Sequence, residues 1–295
     1  MKESRANSPG IQAGGNVTTD EVSAPDTAAL LEVLRTSVRD KHSMLIGLSG
    51  GVDSALLAYI AHEQLREGAV AVTAVSASLS GEEKECARAV AEEIGIRHVF
   101  VETNEMDDPL YLKNDGMRCY RCKIGLSSAL HSKAAELGIS TVAIGVNKSD
   151  FSEYRPGIAA ARSEGIWFPL AECGMEKETI RAAARELGLS VHDRPSNACL
   201  SSRIQYGQMI DERTLRAVAD AEAHLHGFGF KNVRVRVHGT LARIEIDAED
   251  TERFLLAGVR ESTVSKLKSL GFIYVTLDME GFRSGSMNLS LRNSP

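Results

Sequence analysis

Apolar runs closed by glycine or polar turn residues alternate with stretches of helical periodicity over the first part of the chain. Leu45, Ile46 and Leu48 form a short apolar run, of the kind a doubly wound sheet buries on both faces, and predict a first strand. The runs 70–75, 98–101 and 141–146 predict three more. Leu30, Leu31, Val33, Leu34 and Val38 recur at helical spacing over 26–40, with Asp26 or Thr27 as cap. Further helices are predicted over 55–67, 81–94, 123–137 and 180–187. Glu82, Glu83 and Glu85 lie near the favourable N-terminal end of the 81–94 helix. Gly188 closes the 180–187 helix. The stretch 104–115 reads as a polar excursion. Strands alternating with helices imply an α/β fold with a parallel sheet.

After Pro195 the pattern changes. The runs 233–238 and 242–247 alternate apolar and polar residues, as half-exposed strands do. Gly239 and Thr240 predict a hairpin between them. Helices are expected over 211–225, 250–256 and 262–270, and a last strand over 272–277. This is a small α+β unit. The chain therefore divides into 1–25, 26–204 and 205–295, with no internal repeat.

Composition narrows the class. At 295 residues the chain is long enough for two domains. Its 25% charged and 43% hydrophobic content is ordinary for a globular protein. The net charge of −6 argues against a protein built to grip long nucleic acid. No run of about twenty apolar residues is present, so no membrane span is expected. The segment 1–25, rich in Gly, Ser, Asn and Thr, lacks the apolar core of a signal peptide and reads as a disordered tail. Five cysteines without an export signal point to a reducing, cytoplasmic compartment.

The first strand runs into S-G-G-V-D-S at 49–54 and then a helix. Gly50 and Gly51 permit a sharp turn and close approach of a ligand. Ser49 and Ser54 add hydroxyls, and the helix N-terminus favours a phosphate. A serine-capped strand–turn–helix connection is the structural alternative. The string resembles the pyrophosphate loop of the PP-loop ATPases and is not a Walker loop, because no Gly-Lys-Ser/Thr follows. That resemblance implies ATP binding by Gly47, Ser49, Gly50, Gly51, Asp53 and Ser54, with Asp53 on Mg²⁺. It puts the adenine near Ser76 and Ala77, past the second strand. Gly145, Asn147 and Asp150 follow the fourth strand and share the crevice at the strands' carboxyl ends. An Asx turn is the structural alternative for Asn147 and Asp150, and a surface charge for Arg155.

Cys119 and Cys122 form a C-x-x-C on a loop entering a helix. Zinc, a redox pair and iron–sulfur ligation all use that spacing. Arg118, Arg121 and Lys123 surround the pair and favour thiolates. Cys199 is followed by Ser202 and Arg203 in a hydroxyl-lined, electropositive setting. Cys86 reads as packing. Cys173 reads as incidental, although a fourth thiol ligand is conceivable there.

A narrower resemblance rests on R-C-Y-R-C-K at 118–123, G-V-N-K-S-D at 145–150, Y-R-P-G at 154–157 and A-C-L-S-S-R at 198–203. It also rests on V-R-V-R-V-H-G at 233–239, A-R-I-E at 242–245 and G-F-R-S-G-S-M-N at 281–288. With the loop, these strings resemble the LarE family, ATP-dependent sulfurtransferases of nickel-pincer nucleotide cofactor synthesis. The resemblance makes 26–204 the PP-loop ATPase domain and 205–295 a small C-terminal domain. It implies adenylation of a carboxylate of pyridinium-3,5-biscarboxylic acid mononucleotide, then sulfur transfer to give a thiocarboxylate. Cys119, Cys122 and Cys199 match the branch whose three cysteines hold a [4Fe–4S] cluster carrying an extra sulfide; another branch sacrifices a single cysteine. Ser202, Arg203, Glu222, Arg234 and Glu245 would line the substrate phosphate and metal site, and Arg155 would touch nucleotide or substrate. For Glu222, Arg234 and Glu245 the structural alternative is a solvated charge network. A homo-oligomer is expected. A tRNA thiolase and a non-catalytic ATP-binding sulfur carrier are the competing readings.

Overall fold

The computed structural model describes residues 27–152, 156–195, 198–283 and 285–288. The expected tail at 1–25 and the candidate Arg155 lie outside the described residues. Strands β1 (Met44–Gly47), β2 (Ala69–Val75), β3 (Arg97–Glu102) and β4 (Thr141–Ile144) form one parallel sheet in the order β3-β2-β1-β4. β1 pairs on both sides, so its alternate residues enter two different cores. Met44 and Ile46 pack with Ala69 and Ala71 under the helices Thr27–Arg39, Val52–Leu65 and Lys177–Glu186. Leu45 packs with Val70, Val72, Val142 and Ile144 under Arg118–Glu136 and Pro156–Ser163. This is the three-layer arrangement expected of a doubly covered parallel sheet. Strand order reverses between β1 and β4, which opens a crevice at their carboxyl ends.

The second sheet holds β5 (Arg234–His238), β6 (Leu241–Glu245) and β7 (Tyr274–Leu277). β5 and β6 form the predicted antiparallel hairpin, with Gly239 at φ +61°. β7 returns parallel to β6 after the helix Ala257–Ser269. The helix Glu212–His226 covers the same core through Leu215, Val218, Ala221 and Leu225. That core does not end at the second sheet. Tyr111, Leu200 and Ile204 belong to it, and Ile204 bridges to Val237 of β5.

Several expectations need correction. The helix expected from 123 begins at Arg118, so the C-x-x-C lies in its first turn rather than on a loop. Asp115 nucleates that turn, accepting the Met117 N–H on Oδ1 at 2.8 Å and the Arg118 N–H on its carbonyl at 3.0 Å. The supposed polar excursion holds two short helical turns, Glu105–Asp107 and Pro109–Leu112, the second capped by Asp108. Its Tyr111 is buried, which a polar reading of the stretch misses. β5 was expected to be half-exposed, yet Arg234 and Arg236 are only 7% and 5% exposed. Their face is covered by partners distant in sequence, described below. The expected 250–256 helix is the short turn Thr251–Phe254.

Candidate active site

The loop after β1 is held by its own hydroxyls. Ser54 Oγ accepts the Ser49 N–H at 3.1 Å and donates to the Gly51 carbonyl at 3.0 Å. Gly50 has φ +73°, and a Cβ there would lie 3.0 Å from the Ala87 nitrogen. Gly51 caps the helix Val52–Leu65 without a side-chain bond. The first-turn amides therefore face the crevice, where an anion is favoured. Gly145, just past β4, meets this helix start so closely that a Cβ would sit 2.6 Å from the Ser54 nitrogen. Gly47 closes β1 against Ile144, 2.9 Å from its would-be Cβ, and so packs the sheet beneath the loop.

Beyond Gly145, Asn147 and Asp150 form a reciprocal turn: Asp150 Oδ2 accepts the Asn147 N–H at 3.0 Å and Asn147 Oδ1 accepts the Asp150 N–H at 3.1 Å. The Asx-turn alternative is therefore present. Yet Asn147 Nδ2 also donates to Asp53 Oδ1 at 3.4 Å. The other oxygen of Asp53 is ion-paired with Lys177. Lys177 lies outside the helix that the sequence predicts over 180–187, and the structure makes it the first residue of that helix. A lysine at the first position of a helix opposes the helix dipole, and that mismatch was the available signal. At the end of β2, Ser76 Oγ bonds Ser78 Oγ at 2.9 Å, and Ser78 Oγ donates to Glu105 at 3.0 Å. The Ser78 carbonyl accepts the N–H of Leu200, next to Cys199, at 3.0 Å.

That last bond ties the end of β2 to the segment that carries Cys199. Cys119 and Cys122 lie in the first turn of Arg118–Glu136, and Cys199 precedes the turn Leu200–Arg203. Burial, then Cys199, push the Cys122 thiol up to about 12 against the opposing Lys123, with Glu105 and Cys119 adding to it. The Tyr111 phenol is raised by burial and by Cys199 and Cys122. Cys122 is thus coupled to Cys199 and, more weakly, to Cys119. Bringing three thiolates together demands a cation, so the donor set has the chemistry for a metal centre. As they stand, no three His, Cys, Asp or Glu side chains among the described residues form a metal-holding group. Cys86 lies under the loop, with Sγ 3.5 Å from the Gly50 carbonyl. Cys173 packs, like Cys86, against the core that holds Met44 and Ile46, with Ser37 at 3.9 Å, whereas Cys122 packs against the core of the second sheet.

Charged residues fill the junction between the sheets. Arg203 is fully buried and holds Glu222 through two bonds of 2.9 and 3.0 Å. It also donates to the carbonyls of Ala198 and Cys199 and, at 3.0 Å, to Ser202 Oγ. Glu222 Oε1 accepts the Val235 N–H at 2.8 Å. Glu245, also fully buried, is held by Arg236, Arg243 and the Ser286 hydroxyl. A solvated network is therefore excluded for Glu222, Arg234 and Glu245. Burial and Arg203 push Arg234 down to about 10, so a neighbouring anion would stabilise its charge. Arg236 was missed by the sequence reading, although it stands in the same R-V-R repeat as Arg234.

Comparison with known proteins finds relatives over most of the chain. A family model described as asparagine synthase matches residues 28–113, the segment that carries the loop. An uncharacterised protein of Synechocystis sp. is 45% identical over 258 residues, covering 88% of this chain and 96% of its own length. The pyridinium-3,5-bisthiocarboxylic acid mononucleotide synthase of Lactiplantibacillus plantarum is 36% identical over 259 residues, covering 88% of this chain and 93% of its own. The tRNA-specific 2-thiouridylase MnmA of Sphingopyxis alaskensis is 27% identical over 222 residues, covering 62% of this chain and 57% of its own.

Proposed function

The chain belongs to the LarE family of ATP-dependent sulfurtransferases, and we propose that its substrate is pyridinium-3,5-biscarboxylic acid mononucleotide, converted to a thiocarboxylate for nickel-pincer nucleotide synthesis. The observation that carries this reading is the direct tie between the ATP crevice and the cysteine group, through Leu200 and Ser78. In the first half-reaction a substrate carboxylate oxygen attacks the α-phosphorus of ATP. The bond to the bridging oxygen breaks and pyrophosphate leaves. Gly50, Gly51 and the first-turn amides hold the leaving group, with Asp53 on Mg²⁺ and Lys177 beside it. In the second, sulfur attacks the acyl carbon, a C–S bond forms, and AMP departs with the C–O electron pair. Arg234 would meet the substrate phosphate together with Ser202, which Arg203 and Arg236 hold through bonds of 3.0 and 3.2 Å. Glu222 and Glu245 orient those arginines.

We read Cys119, Cys122 and Cys199 as ligands of a [4Fe–4S] cluster. When bound, such a cluster supplies a transferable sulfide on the iron that no cysteine holds. What supports this is the bond that brings the Cys199 turn to the Arg118 side chain, next to Cys119, and the packing of Cys173 against a different core from Cys122. We also read the protein as a cytoplasmic homo-oligomer; all five cysteines are free, as a reducing compartment requires. No described helix is long and apolar enough to cross a membrane.

The test is anaerobic purification with iron and sulfide analysis, then mass spectrometry of the product formed from ATP and the pyridinium dicarboxylate mononucleotide. A product heavier by the exchange of one oxygen for sulfur, with pyrophosphate released, is expected. Release of pyrophosphate without that product overturns the substrate assignment. The similarity to MnmA keeps a tRNA thiolase as the second reading. Copurifying tRNA and thiolation of it in vitro would favour that reading.

A further inference from the structure

Arg118 is only 4% exposed, and its guanidinium is met by an amide oxygen, a backbone carbonyl, a thiol and an aromatic ring. A buried cation is stable only where opposite charge and acceptors surround it. The acceptors are specific. Nη1 donates to Asn114 Oδ1 at 2.7 Å and to the Ser201 carbonyl at 2.8 Å. Nη2 reaches Cys119 Sγ at 3.7 Å. The guanidinium carbon lies 5.1 Å from the centre of the Tyr206 ring.

Asn114 extends the same arrangement. It is fully buried at φ +56°, and its Nδ2 donates to the carbonyls of Gln205 at 2.9 Å and Gln208 at 3.0 Å. A non-glycine residue in that conformation is held there by its surroundings. Arg118 and Asn114 therefore join two segments about eighty residues apart in sequence. One carries Cys119 and Cys122, the other Cys199.

We propose that Arg118 is a positioning residue of the sulfur centre. It fastens the Cys199 turn to the Cys119–Cys122 helix and supplies the fixed positive charge beside the sulfur group. Only a planar fork can do both, because the two bonds of Nη1 and the Nη2 contact point in different directions. The proposal rests on reading the three cysteines as the sulfur-handling group.

Two measurements test it. In iron-free protein, diamide oxidises neighbouring thiol pairs to disulfides, and peptide mass spectrometry counts bridges from Cys199 to Cys119 or Cys122. Arg118→Met is expected to slow that trapping about tenfold, and Arg118→Lys less. In loaded enzyme, thiocarboxylate formed per pyrophosphate released should fall about tenfold in Arg118→Met and partly recover in Arg118→Lys. A merely structural role would lower both products together and leave the ratio unchanged. If Arg118→Met does not fold by circular dichroism, Arg118→Lys decides alone. Wild-type trapping and a wild-type ratio in the folded variants overturn the proposal. Failure of the underlying reading looks different: the wild type itself forms no thiocarboxylate, while the trapping difference persists.

Discussion

The two halves of this site are built by opposite means. The nucleotide loop is local: Ser49, Gly50, Gly51, Asp53 and Ser54 are contiguous, and Ser54 alone ties three of its backbone and side-chain groups together. The junction of cysteines and buried arginines is assembled from the segments around 111–122, 198–205, 222, 234–245 and 286. Its charged groups are buried and depend on each other, whereas Asp53 stays partly open at 18% side-chain exposure. The difference teaches where function and stability separate. A lesion in the loop should stop chemistry while the fold survives. A lesion in the junction's buried pairs should damage both, because a single charge left without its partner is costly.

The largest effect is expected where chemistry and fold part most cleanly within the junction. Cys119→Ala, Cys122→Ala and Cys199→Ala should each abolish sulfur transfer and the broad visible absorbance of anaerobically purified protein, with melting temperature little changed. Cys86→Ala and Cys173→Ala should keep both. If Cys199→Ala alone stops transfer, Cys199 is a sacrificial donor and the cluster reading fails.

Asp53→Ala should abolish pyrophosphate release while circular dichroism and melting stay as in wild type. Its partner Lys177→Met should weaken ATP binding, read as a raised KM. A loop variant that also melts early would break the comparison.

The buried pairs come next. Glu222→Gln leaves Arg203 without its counter-charge in a fully buried setting, and a loss of about 3–5 kcal/mol in chemical denaturation is expected. An unchanged denaturation midpoint would place Glu222 with the loop residues in behaviour. Gly145→Ala forces a methyl against Ser54. It should cost about 1–3 kcal/mol by overpacking and lower pyrophosphate release as well, which makes it the one loop-side lesion expected to cross the divide.

The smallest effect concerns pH. Thr73 Oγ1 donates to the Leu48 carbonyl at 2.7 Å, so it accepts from His98 Nε2–H at 2.8 Å, linking β3 to the start of the loop. Burial and Arg88 lower the His98 pKa below its ordinary 6.5. The unfolded chain therefore takes up the proton first as pH falls, and stability declines below about pH 6.5. A denaturation series from pH 7 to 5 should show a shallower decline in His98→Gln.

The sequence by itself determined the parallel sheet, the loop after β1 and the hairpin of β5 and β6. Each follows from residues close together: apolar runs of strand length, a glycine pair before a helix, an alternating pattern around Gly239. The three cysteines, Arg203 and Arg234 were nameable from strings that resemble a family, but their environment was not. R-V-R-V-H reads as a half-wet strand until Glu222, Glu245 and the segment carrying Ser286 close over it. Tyr111 reads as part of a polar loop until Ser201 meets it at 2.6 Å. Lys177 reads as a flank until the fold brings it to Asp53 across 124 residues. Period and propensity act over neighbouring residues, so they specify strands, turns and helices. Whether a charge is solvated or buried, and which segments meet, depends on contacts between residues far apart in sequence, and only the tertiary structure decided those.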